Sequence, residues 1–208
     1  MSQEPPGART AKDSSQFIPV LVIVTGLPCT GKTTVARQLA NELGFPLVTK
    51  DDIKERLFDA LGWRDREWSR KLGGATYEIL FYFIDTLLAV GNSLIAESNF
   101  PPQWTAQRLR DIQELHPFRA AVVECIARAE VVEQRWRRRA ELSLRHPGHG
   151  DAEALDEFLE AVHAHTTPDG FARLGPPPVG APSWEVDTSR QSNLTEVVGA
   201  LRGLGLSY

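Results

Sequence analysis

Residues 26–33 read GLPCTGKT, and no other stretch restricts the architecture of this chain as strongly. Two glycines bracket four variable positions and are followed by lysine and threonine, which meets every fixed position of the phosphate-binding loop pattern G-x-x-x-x-G-K-[ST]. The flanks agree with it. Upstream, residues 17–25 (FIPVLVIVT) form a short β-branched apolar run, the composition of a strand buried on both faces of a parallel sheet. Downstream, residues 32–43 read as a helix closed by Gly44. Strand, glycine-bracketed turn and helix in that order call for an α/β domain.

The loop must wrap backbone N–H groups around phosphate oxygens, so Gly26 and Gly31 supply backbone angles and a close approach that a side chain would block. The helix that starts near Lys32 points its positive end at the same phosphates. Lys32 can reach the β- and γ-phosphates of ATP, and the Thr33 hydroxyl can ligate Mg²⁺. The candidate nucleotide site is therefore Gly26, Leu27, Pro28, Cys29, Thr30, Gly31, Lys32, Thr33 and Thr34. Cys29 reads as a small loop residue.

With 208 residues, 42% of them hydrophobic, the chain can fill one α/β core but not two comfortable ones. A net charge of -4 argues against a general attraction to nucleic acid, although a local basic patch could still act. Two cysteines give no disulfide framework and point to a reduced, cytoplasmic setting. Residues 1–16 are polar with no apolar h-region, so they read as a disordered tail rather than a secretory signal, with the domain spanning 17–208. The apolar stretch 79–96 is interrupted by Asp85, Gly91 and Asn92 and looks too short to span a membrane, so no membrane partner is expected.

After the first helix, residues 45–49 (FPLVT) read as a second strand, and Lys50-Asp51-Asp52 stands where it passes into a helix running to about Leu61. Open parallel sheets bind ligands outside the carboxyl ends of their strands, so both aspartates lie on the functional edge. Asp52, beside Ile53, is the better placed to cap; Asp51 is then the candidate general base for a substrate hydroxyl. Lys54 suits either an anionic substrate or a solvated helix surface. Residues 62–70 read as a polar loop in which Trp63 and Trp68 either pack or stack on a ring, and 72–90 as a helix apolar nearly all round, hence buried.

Residues 93–97 (SLIAE) make a third strand ending in Glu97, which can order Mg²⁺ or orient a nucleophile, or serve the structure alone. Asn99 either bonds substrate or shapes the turn before Pro101. A helix over 103–115, a fourth strand over 118–126 and a helix over Ala129–Glu141 follow. On that last helix Arg135 and Arg139 lie one turn apart with Arg138 beside them, while Arg137 points toward Glu133. An arginine face suits the spread charge of a transferring phosphoryl group; its alternatives are a solvated surface or a nucleic-acid contact. His146 and His149 fall in a turn before a helix over 152–165, contacting substrate or merely turning the chain. Residues 175–182 form a loop, Ser183–Asp187 a fifth strand, and 194–204 a final helix.

GLPCTGKTT, TKDDIKE, LIAESNF, the arginine-bearing helix and EVDTS together resemble the small P-loop kinases that include chloramphenicol phosphotransferase, zeta-toxin-type kinases and the kinase domain of polynucleotide kinase. The resemblance runs from about Pro19 to Leu204. It implies Asp51 as general base, Lys32 and Thr33 on phosphate and Mg²⁺, Glu97 at the metal end of strand three, and Arg135 with Arg139 as lid arginines. It also implies that Asp187 and Thr188 lie near the adenine, that residues 129–150 form a lid, and that 62–72 and 141–182 build the acceptor pocket. Where the polynucleotide enzymes carry arginine after the paired aspartates, this chain has Lys54.

The expected fold is a three-layer α/β P-loop domain with a five-stranded parallel sheet in the order 2-3-1-4-5 and helices on both faces. The expected activity is transfer of the γ-phosphoryl group of Mg-ATP to a small hydroxyl-bearing acceptor. The alternatives are a polynucleotide 5'-hydroxyl kinase and an ATP-binding switch that transfers nothing.

Overall fold

A computed structural model describes residues 18–190 and 194–204; the expected tail over 1–16 lies outside them. The strand before the loop, β1 (Val20–Thr25), is completely buried, and period two splits its side chains between the faces of the sheet. Val20, Val22 and Val24 enter one apolar layer, under the first helix α1 (Lys32–Leu43) and the C-terminal helix α7 (Thr195–Gly203). Leu21 and Ile23 enter the other, under the helices Arg66–Ala89 and Pro102–Leu115, labelled α3 and α4. A strand apolar on both sides is thus the axis of three layers.

Parallel neighbours follow the expected 2-3-1-4-5 order. β2 (Leu47–Thr49) pairs with β3 (Leu94–Glu97), β3 with β1, β1 with β4 (Arg119–Arg128), and β4 with the strand Ser183–Asp187. That strand is labelled β6 because a two-residue strand missed in the sequence, β5 (Phe171–Ala172), precedes it and pairs antiparallel with Ala127 and Arg128 at the far end of β4. Register is what builds the functional edge. Thr49, Glu97 and Val24 are aligned partners across β2, β3 and β1, so the turns that follow all three strands emerge side by side.

Helix α2 (Lys50–Leu61) starts directly after β2. Thr49, not Asp52, is its N-cap, accepting from the Asp52 N–H at 3.1 Å; the hydroxyl already sits on the last strand residue, and Asp52 instead faces Arg37 at 3.8 Å. The polar stretch 62–70 is only partly loop. Asp65 accepts from the Trp68 N–H at 2.7 Å and opens α3 at Arg66, so Trp68 is helical; its indole donates to the Gly62 carbonyl, while Trp63 stays exposed.

α3 is not buried all round, because Tyr82 is 66% exposed and Phe83 is exposed as well. Its 24 residues, of which only 79–89 belong to the stretch considered above, are long and apolar enough to cross a membrane by length and composition alone, a test that a core helix also passes. Leu72, Leu80, Phe81, Ile84 and Leu88 nevertheless pack its inner side into the domain.

Beyond β4, helices α5 (Ala129–Glu141) and α6 (Leu155–Ala164) have an apolar cluster of their own. Trp136 stacks on Phe158 with ring centroids 3.8 Å apart, and Leu27 of the loop joins them. The helix expected over 152–165 thus begins at Leu155, preceded by a 3₁₀ turn at Pro147–His149. Arg137 and Arg138 are exposed, and Glu133 lies 3.8 Å from His163 rather than pairing with Arg137.

Candidate active site

The loop between β1 and α1 is shaped by contacts to its backbone. Gly26 has φ 135°, and a Cβ there would stand 2.3 Å from the Cys125 carbonyl oxygen. Gly31, at φ 82°, lies against Thr188, which a Cβ would approach to 3.2 Å. No side chain caps α1, so its first N–H groups are left for a ligand. Gly26, Leu27 and Thr30 lie beneath the cleft, Thr30 with its hydroxyl on the Leu27 carbonyl at 2.8 Å. Pro28, Cys29, Gly31, Lys32, Thr33 and Thr34 line it. Lys32 Nζ donates to the Leu27 carbonyl at 2.9 Å, folded back over the loop it serves.

A cleft of about 730 Å³ extends from this loop across the strand ends to α2, α5 and the 3₁₀ turn. Asp51, Glu97, Asn99, Arg135, Arg139 and Thr188 all line it, as does Lys54. Asp187 does not; its carboxylate accepts from the Ser189 N–H at 2.8 Å. Thr188 does more than neighbour the cleft, since it donates to the Thr30 carbonyl at 2.7 Å and so ties the strand-end turn after β6 to the loop.

Thr33 Oγ1 donates to Glu97 Oε2 at 3.0 Å. Glu97 is 3% exposed, and burial pushes its carboxyl up while Lys32 opposes the rise. Behind it, Tyr77 donates to Asn99 Oδ1 at 2.5 Å and receives the Ser98 hydroxyl at 3.0 Å. Burial raises the Tyr77 phenol well above its ordinary range, so it stays a donor and fixes the Asn99 side chain.

The two arginines expected on phosphate reach the cleft with their guanidinium groups engaged. Arg135 donates to the Cys29 carbonyl at 3.2 Å, to Thr188 Oγ1 at 3.1 Å and to the Thr188 carbonyl. Arg139 Nε lies 2.7 Å from Asp151 Oδ2. The residue that joins the two sides is one the sequence reading passed over. Arg145 pairs with Asp51, lies 3.4 Å from Asp151 Oδ1, and has its Nε 4.0 Å from Glu55. Burial would raise the Asp51 carboxyl, but Arg145 and then Lys50 outweigh it and hold it down at about 2.

His149 is buried, its Nε2 3.2 Å from Glu55 and its ring edge-on to Phe58; burial and Arg145 lower it to about 2, so it is neutral. His146 stacks on the Phe58 ring, with centroids 5.0 Å apart. Lys54 is 7% exposed and not a solvated helix residue: it donates to Ser69 Oγ at 2.9 Å, and burial, with Lys50 and Arg145 adding to it, brings its ammonium down to about 8. Lys50, also missed, stands 5.0 Å over the Tyr77 ring and is lowered by burial against the pull of Asp51.

A family model described as an AAA domain matches residues 21–165. The solved structure of a "putative kinase" from Chloroflexus aurantiacus is 36% identical, with a TM-score of 0.76 over 89% of this chain and 97% of that one. A sugar kinase from a Janibacter species, 18% identical with a TM-score of 0.51, covers 91% of this chain and 96% of its own, and shares the fold. No curated protein matches the chain in sequence. The family model spans the loop, both strand-end acids and the arginine helix, and the chain therefore belongs to that AAA-domain family, as one of the small P-loop kinases.

Proposed function

We propose that this protein is an ATP-dependent phosphotransferase that moves the γ-phosphoryl group of Mg-ATP onto a hydroxyl of a small molecule. One observation carries the reading: the carboxylate of Asp51 opens onto the same cleft as the phosphate loop. The loop would hold the β- and γ-phosphates through its backbone N–H groups and Lys32, with the turn that carries Thr188 toward the adenine. In transfer, the bond from the γ-phosphorus to the β–γ bridging oxygen breaks as the acceptor oxygen bonds to phosphorus. The hydroxyl proton passes to Asp51, and ADP leaves.

Arg145 keeps Asp51 ionised and aimed, so the carboxylate accepts its proton late, as a loose transition state requires. Arg135 and Arg139, on α5, supply guanidinium charge once a nucleotide competes for their present partners. A hydroxyl and a buried carboxyl, Thr33 and Glu97, make a hard oxygen donor pair that fits Mg²⁺ and needs phosphate oxygens to complete its shell. Bound there, Mg²⁺ would neutralise charge developing on the phosphates. Free Cys29 and Cys125 agree with a cytoplasmic enzyme.

The test is Asp51→Asn with labelled ATP and a panel of small alcohols, nucleosides and 5'-hydroxyl oligonucleotides. Transfer should fall by about 10²–10⁴-fold with ATP binding retained. Undiminished transfer removes Asp51 as base. Labelling confined to oligonucleotides, with binding that falls steeply with salt, favours the polynucleotide alternative, and wild-type protein that labels nothing is a switch.

A further inference from the structure

We propose that Lys50, Lys54 and Arg66 form a subsite for an anionic group, a carboxylate or a phosphate ester, carried by the acceptor alcohol. The inference rests on the phosphotransferase reading of the cleft and narrows its acceptor to acids and phosphorylated alcohols.

Lys54 is the centre of the argument. Its side chain is withdrawn from water yet lines the cleft, and its hydrogen bond goes to a neutral hydroxyl, that of Ser69. Neither Lys54 nor Lys50 has a carboxylate within ion-pair distance among the described residues; Lys50 is held over the Tyr77 ring instead. A buried ammonium without a counter-ion is expensive to keep charged. Beyond burial, Lys50, Arg145 and Arg66 also press the Lys54 ammonium toward its neutral form, and Asp51 offsets them only in part.

Arg66, in the first turn of α3, adds an unused donor from the other side. One terminal nitrogen donates to Glu157 at 2.8 Å, while its Nε is buried with no acceptor. A buried donor left unpaired costs as much as a lost hydrogen bond. Two lysines without a carboxylate partner and one unused Arg66 N–H, on α2 and α3, thus border one end of the cleft. Asp51 shares the first turn of α2 with Lys50, so one small molecule can place its hydroxyl at Asp51 and its anion at the lysines.

The structure also leaves room there. Gly73, inside α3, faces the Lys54 ammonium with no side chain; a Cβ would stand 3.7 Å from Nζ, in ordinary contact. Gly73→Asp therefore brings a carboxylate to the ammonium from within the protein, and Gly73→Ala controls for bulk.

The experiment fills the phosphate loop first. Protein saturated with Mg²⁺ and a non-hydrolysable ATP analogue is titrated calorimetrically with two series of equal carbon skeleton: glycerol, glycerate and glycerol 3-phosphate, then glucitol, gluconate and glucose 6-phosphate. An anionic member should bind at least about tenfold tighter than its neutral counterpart. Lys54→Met and Gly73→Asp should both erase that difference, Gly73→Ala should keep it, and the affinity for the ATP analogue should hold in all three. Which anionic series responds decides between carboxylate and phosphate. With labelled ATP, the preference should reside in KM.

Equal binding of neutral and anionic members, a preference that survives both charge variants, or no binding by any anion overturns the subsite. Equal transfer to neutral and charged alcohols sinks the subsite and leaves the phosphotransferase standing. Lys54-dependent anion binding with no transfer to any acceptor does the reverse.

Discussion

The two ends of the cleft are built from different materials. At the nucleotide end, the loop is held through contacts to its backbone: Gly26 against the Cys125 carbonyl, the Thr30 hydroxyl on the Leu27 carbonyl and the Thr188 hydroxyl on the Thr30 carbonyl, all inside or beside one sheet. At the acceptor end, the surface is made by long charged side chains meeting across the chain. Arg145 reaches Asp51 and Asp151, Arg66 reaches Glu157, and Lys54 reaches Ser69. Backbone cradles are rigid and recognise phosphate generically; ion-paired side chains can be rearranged by a few substitutions. On the proposed phosphotransferase reading, the first end sets the cofactor and the second the acceptor.

The comparison can be broken most forcefully at Gly26. Gly26→Ala places a Cβ 2.3 Å from a backbone oxygen of β4, at a φ of 135° that alanine disfavours. The central strand cannot retreat, because β4 is bonded on both sides, to β1 and β6. The expected loss is about 4 kcal/mol or more, at the extreme of single substitutions, read as the denaturant midpoint. A loss under about 1 kcal/mol would mean that the loop is as adaptable as the acceptor end.

A middle-sized effect is expected at Arg145, the joint of the acceptor end. Arg145→Gln removes the largest of the charges that hold Asp51 at about 2, leaving burial to raise the carboxyl against the weaker pull of Lys50 and Lys32. Asp51 is depressed in the folded protein, so its pairing stabilises the fold above its ordinary value near 3.9 and is lost as pH falls toward 2. In wild type, Asp51 accordingly puts no acid limb on kcat/KM above about pH 4. The variant should acquire one, displaced upward, with kcat/KM at neutral pH lower by roughly 10²-fold and ADP affinity unchanged. An unmoved limb would uncouple Arg145 from Asp51.

The same division explains what could be read without coordinates. β1, the loop and α1 were legible because a β-branched run, two glycines and a helix follow one another locally; α1 falls on residues 32–43 as expected. Asp51 and Glu97 followed from where strands end. Arg145 did not, because its partner Asp51 lies 94 residues away and nothing near it announces the pairing. The start of α3 had a local signal that went unread, Asp65 three residues before Trp68. The cap of α2 was misplaced because Asp is a strong cap in general, whereas here the strand delivers a hydroxyl one position before the helix. The exposed aromatics of α3 show the limit of composition, since an apolar residue on one side of a helix does not say whether anything covers it.

The smallest effect lies within the backbone-built end and sharpens the comparison from inside. Cys29 sits at φ 64°, a left-handed conformation that costs a residue with a Cβ roughly 1–2 kcal/mol. Cys29→Gly relieves that strain but restores about 0.5–1 kcal/mol of unfolded-chain freedom, and gives up sulfur contacts at the margin of the Trp136 cluster. Strain relief should win narrowly, by about 0.5 kcal/mol, raising Tm by about 1–2 °C with transfer unchanged, because the loop presents its N–H groups through backbone angles that glycine also adopts. A fall in Tm instead would show that the thiol packs for the fold, and that apolar contact as well as hydrogen bonding holds the nucleotide end.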